Sequence, residues 1–96
     1  MKTLYMIPNS PYQRNEAFFP LKVAGESDGI LLIQSGVVMC NSIPDWLKSD
    51  MDKALASGVK VYACKEDLEA RSLPHNFEVI DYNGIIDLLE HYERVV

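Results

Sequence analysis

Short apolar runs alternate along this chain with longer segments in which apolar residues recur every three or four positions. Thr3 to Ile7 is the first run and reads as a strand, stopped by Pro8-Asn9-Ser10-Pro11. Ile30-Leu31-Leu32-Ile33 is uninterrupted, which marks a strand buried on both faces. Val59 to Ala63 is the third run, and Phe77 to Asp81 the fourth. The segments between them carry helical spacing. A helix is expected from about Tyr12 to Val23, with Pro20 as the point where a missing N–H should kink or end it. Gly25 to Gly29 reads as a turn, and Val37 to Asn41 as a short helical turn. Trp46, Leu47, Met51, Ala54 and Leu55 mark a helix with Pro44 in its first turn and Gly58 just past its end. Lys65 to Arg71 is a charged helix that stops near Ser72-Leu73-Pro74. Ile85, Ile86, Leu88, Leu89 and Tyr92 form the apolar side of a last helix.

Strands separated by helices predict βαβ units, right-handed crossovers and a mostly parallel sheet. The expected class is α/β: a small Rossmann-like or flavodoxin-like three-layer fold of four to five strands, with residues 1–96 as a single domain. No internal repeat, G-x-G-x-x-G run or Walker A run is present, so no nucleotide cofactor is expected.

In such a sheet the carboxyl ends of the strands meet on one rim, where ligands gather. That rim collects Asn9 and Ser10 after the first strand and Gln34, Ser35 and Gly36 after the second. Cys64 follows the third, and Asp81 and Tyr82 the fourth. These are the candidate binding residues, with Cys64 as the candidate sulfur nucleophile. A helix amino terminus favours a thiolate through its free N–H groups and macrodipole. The competing reading is plain: Asn, Ser, Gly and Asp are ordinary turn and cap residues, and a lone cysteine is commonly a small buried hydrophobe. Cys40, beyond the second strand, faces either this rim or the core. On the rim, it and Cys64 would be able to form a transient disulfide.

Composition narrows the field. With 96 residues, 48% of them apolar, the chain has room for one core. Its net charge of −5 argues against gripping nucleic acid by the phosphates. Two cysteines are too few for a disulfide scaffold or an all-cysteine metal site, and neither His75 nor His91 has a partner at ligand spacing, so no metal is expected. Both histidines read as solvated, as do Asp50, Asp52, Glu66, Asp67, Glu69 and Glu90 on helix faces. Trp46 reads as core or subunit contact. The amino-terminal apolar run is too short for a signal peptide, and no run approaches the length of a membrane span. The expected location is the cytoplasm, where thiols stay reduced.

Three stretches, taken together, resemble one family. Residues 30–37 (ILLIQSGV), 60–73 (KVYACKEDLEARSL) and 79–88 (VIDYNGIIDL) are similar in order and spacing to segments of the DsrH/TusB family of DsrE/DsrF/DsrH-like sulfur-relay proteins, as is the start around Asn9-Ser10-Pro11-Tyr12. The family pattern has leucine where this chain has Cys64, aspartate at Ser35 and glycine at Ser72, and residues 40–57 match it least. The resemblance implies a small α/β fold acting with DsrE/TusD-like and DsrF/TusC-like subunits, or with copies of itself. It also implies sulfur-donor and sulfur-acceptor proteins as partners. Sulfur would move as a cysteine persulfide toward wobble-uridine 2-thiolation in tRNA or toward sulfur oxidation. The related DsrE/TusD subunits carry a sulfur-accepting cysteine after the corresponding strand. Cys64 is therefore expected either as a persulfide-carrying, sulfurtransferase-type residue or as a packing substitute in a non-catalytic structural subunit. A homo-oligomeric ligand- or redox-sensing module using Cys40 and Cys64 is the third alternative.

Overall fold

The computed structural model describes residues 2–15, 17–74 and 76–96. The loop reading of His75 lies outside them. The elements are β1 (Thr3–Ile7), α1 (Phe18–Val23), β2 (Gly29–Leu32), a 3-10 helix (Gln34–Cys40) and α2 (Asp45–Ala56). They continue as β3 (Lys60–Cys64), α3 (Lys65–Ala70), β4 (Glu78–Ile80), α4 (Tyr82–His91) and β5 (Arg94–Val95). The strands form one sheet in the order β4-β3-β2-β1-β5. Every pairing is parallel, with Tyr5 opposite Ile30, Ile30 opposite Val61 and Ala63 opposite Val79.

The unbroken apolar run of β2 is explained by its central place. Ile30, Leu31 and Leu32 are each fully buried. Ile30 and Leu32 pack with Leu21 of α1, Leu47, Met51 and Ala54 of α2, and Leu68 of α3. Leu31 points the other way and packs with Leu4, Tyr62, Leu88 and Tyr92. Three helices thus cover one face and α4 the other, which gives the expected α/β three-layer architecture. Full burial of each such leucine or isoleucine contributes roughly 1.5–3 kcal/mol.

Several elements depart from the expected boundaries, each for a local reason. The first helix starts at Phe18, not Tyr12, because Ser10 builds a turn instead: its carbonyl accepts the N–H groups of Gln13 and Arg14 at 3.1 and 3.0 Å. Pro20 then falls in the first helical turn, where a missing N–H costs nothing, so it makes no kink. The turn after α1 stops at Asp28, and Gly29 already belongs to β2. The helical turn after β2 begins at Gln34 and absorbs Gln34-Ser35-Gly36. Pro44 stands just before α2 as its cap. Gly58, at φ +91°, ends that helix as expected. Asp50 is buried rather than solvated and meets Lys22 at 3.5 Å. Trp46 is half exposed rather than core, its ring 6.3 Å from that of Phe18. Leu55 and Ile86 are exposed as well. The fifth strand, β5, pairs with β1 through Thr3–Arg94 and Leu4–Val95.

Candidate functional site around Cys64

The topology singles out one crevice. Between β3 and β4 the chain changes faces: α3 leaves β3 on the side of α1 and α2, and α4 leaves β4 on the opposite side. This is the switch point at which open α/β sheets bind ligands. Cys64 is the last residue of β3 and the cap of α3, so its sulfur lies at that point.

Its surroundings are not those expected of a free thiolate. Cys64 is fully buried. Burial pushes its thiol up to about 11, against the opposing pull of the Asp67 backbone N–H, and the Asp67 carboxylate raises it further. The thiol donates to Glu66 Oε1 at 3.6 Å. The helix terminus does pull the other way through the backbone N–H groups of Asp67 and Glu66, but desolvation and the Asp67 carboxylate outweigh them. At neutral pH Cys64 is therefore a protonated thiol.

The same two carboxylates tie the strand ends together. Glu66 Oε2 accepts the backbone N–H of Tyr82 at 3.2 Å, which joins α3 to the start of α4. Asp67 Oδ2 accepts the backbone N–H of Gln34 at 2.7 Å, which joins α3 to the segment after β2. Gln34 holds a left-handed backbone at φ +49° in that bond. Arg71 Nη1 stands 3.9 Å from the other oxygen of Asp67. Glu66 and Asp67, expected as solvated, are only partly exposed and are the residues that assemble the site. Their placement two and three residues after the strand end was the available sign, since side chains there reach back over the helix start.

The other rim residues have distinct placements. Asp81 caps α4 and accepts the Gly84 N–H at 2.8 Å. Tyr82 opens α4 and is 56% exposed, and the nearby Asp67 charge raises its phenol pKa. Ser35 is half-buried in the first turn of the 3-10 helix. Gly36 is pressed against the Ile7 carbonyl, and its N–H donates to Ile33 at 2.8 Å. Asn9 and Ser10 follow β1, which β2 separates from β3. Ser10 is buried, and its Oγ accepts the Tyr12 N–H at 3.2 Å within its own turn. Gln34, Cys64, Asp81 and Tyr82 are thus gathered at the switch point, while Ser10 serves the turn after β1.

Cys40 belongs to another neighbourhood. Burial raises its thiol pKa, and the backbone N–H groups of Asn76 and Phe77 pull it part of the way back. The Asn76 side-chain amide donates to the Cys40 carbonyl. It borders a cleft of about 450 Å³ with Met39, Ile43, Lys48 and Phe77. Both cysteines are free thiols. Among the described residues no group of three or more His, Cys, Asp or Glu is placed to hold a metal ion, and no helix is long and apolar enough to cross a membrane.

Comparison with known proteins agrees with this fold. The Photorhabdus laumondii protein TusB is 32% identical over 95% of this chain and 96% of its own length. Protein TusB of Buchnera aphidicola is 32% identical, covering 95% of each chain. Its counterpart from Serratia proteamaculans is 33% identical, covering 93% of each. The solution structure of protein Tm0979 from Thermotoga maritima superposes with a TM-score of 0.67 at 28% identity, over 93% of this chain and 92% of that one. The family model described as DsrH like protein matches residues 9–95, almost the full length, and the chain belongs to that family.

Proposed function

We propose that this chain is a subunit of a sulfur-relay assembly, working through contacts with partner subunits, and that Cys64 is chemically silent while the chain is free. The family resemblance supports the relay role, and the three relatives named TusB favour tRNA 2-thiolation over sulfur oxidation. A net charge of −5 suits a subunit that leaves the tRNA to others. The observation that carries the silent-thiol reading is the burial of Cys64 beside Glu66, with its thiol held near 11. Exposure of the free chain to a persulfide donor, followed by intact-mass measurement, tests it. The parent and Cys64→Ser should behave alike. A gain of one sulfur that the serine variant lacks would overturn it.

That same gain would establish a second reading, in which Cys64 carries sulfur. Its place at the switch point, where the Asp67 backbone N–H pulls the thiol pKa down, favours it. In that chemistry the Cys64 thiolate attacks the outer sulfur of a donor persulfide. The donor S–S bond breaks, a new one forms on Cys64, and the donor leaves as a thiolate.

A further inference from the structure

We infer that the first turn of α3 is a gate over the Cys64 sulfur, held shut by two ties between a carboxylate and a backbone amide: Glu66 to Tyr82 and Asp67 to Gln34. The inference rests on the reading that Cys64 is sheltered in the free chain, and it names what shelters it.

The ties matter because α3 is short and sends a single side chain into the core. α3 has six residues, and Leu68 is its one buried side chain. A helix that short has no stability of its own. Lys65, Glu69 and Ala70 face solvent. The bonds at 3.2 and 2.7 Å, by contrast, run to two different elements, the start of α4 and the segment after β2. Both are charge-assisted, and both come from consecutive residues directly over the strand end. Glu66 adds the contact with the thiol itself through its second oxygen, at 3.6 Å. Breaking either tie lets the turn swing from the sulfur while β3, paired with β2 on one side and β4 on the other, stays in place. Glu66 and Asp67 are positioning residues in this scheme and take no part in bond making.

The test is the rate of Cys64 alkylation by iodoacetamide in the full-length chain, with peptide mass mapping to separate Cys64 from Cys40. Glu66→Gln and Asp67→Asn keep the shape of each side chain and weaken its tie. Each should speed alkylation at Cys64 by about tenfold, the effect that loss of one charge-assisted hydrogen bond has on a local opening. The gain should persist at alkaline pH where the thiol is ionised, and exchange of the Tyr82 or Gln34 amide should quicken in the matching variant. Glu69→Gln, an acid on the same helix outside the ties, should change nothing. The gate is refuted by unchanged rates, by an equal gain in Glu69→Gln, by an equal gain at Cys40, or by a gain that vanishes once the thiol is ionised. Sulfur uptake by the free parent chain would instead sink the silent-thiol reading and leave these comparisons standing.

Discussion

Gly29 lies directly beneath the phenol of Tyr92. A methyl group at position 29 would meet the Tyr92 hydroxyl and stand 2.8 Å from its ring carbon Cζ. Tyr92 is the residue after α4, is buried, and packs with Tyr62. The absence of a side chain at the start of β2 therefore lets the end of α4 close over the sheet. Gly29→Ala should cost about 1–3 kcal/mol by overpacking. Urea unfolding measures this. Adding Tyr92→Phe removes the nearest clashing atom and should recover part of the loss. A double variant less stable than the single would contradict the assignment.

Gly36 makes the harder case. A methyl group there would run into the carbonyl oxygen of Ile7, with the carbonyl carbon at 3.0 Å. That oxygen already accepts the Ile33 N–H at 3.1 Å, so backbone meets backbone where no side chain is free to turn away. Gly36→Ala should destabilise the chain by more than Gly29→Ala, on the order of 3 kcal/mol or above. The same unfolding series ranks them, and the reverse order would show that the 3-10 helix can shift.

The strands were readable where apolar residues ran unbroken. Ile30 to Leu32 carried their central position in their composition, and the junction at Cys64 fell within one residue of its expected place. β5 was not readable, because Arg94–Val95 is too short to show a period and exists only through its pairing with β1. The start of α1 depended on the turn at Ser10, which competes locally with helix. At the site, the sequence placed a cysteine at a helix start but not what covers it. Burial of Cys64 depends on Leu68, on the strands beside it and on carboxylates that a charge pattern assigns to solvent. Whether a helix terminus lowers or a buried pocket raises a thiol pKa is decided by that tertiary cover.

Asp50 and Lys22 offer a test of buried against exposed charge. The Asp50 side chain is 11% exposed and its oxygen lies 3.5 Å from Lys22 Nζ, whereas the Lys48–Asp45 pair at 3.2 Å stands largely in water. Lys22→Met leaves Asp50 poorly hydrated and without its cation, and should cost about 1–2 kcal/mol. Lys48→Met should cost less than about 0.5 kcal/mol. Thermal melts at low and high salt separate the two, and equal losses would mean that Asp50 does not use its partner.

The thiol of Cys64 should also leave a mark on alkaline stability. Its pKa rises from an ordinary value of 9.0 to about 11 in the folded chain. The folded protein thus holds this proton more tightly than the unfolded chain does. Below about pH 9 both forms are protonated, and the stabilisation is fully present. Between about 9 and 11 the unfolded chain releases the proton first, so stability falls as pH rises, and it is gone above 11. Two pH units correspond to about 2–3 kcal/mol. Tyr92, whose phenol burial also pushes up, weakens the fold in the alkaline range too. The parent curve alone therefore mixes the groups. Cys64→Ala removes one of them at a cost of roughly 1 kcal/mol for the small void it leaves. Urea unfolding of both proteins from pH 7 to 11 should show the parent's advantage shrinking above pH 9 and reversing before pH 11, while thiolate absorbance in the folded parent rises with a midpoint near 11. Curves that stay parallel, with the thiolate appearing near 9, would place the sulfur in water rather than beneath α3.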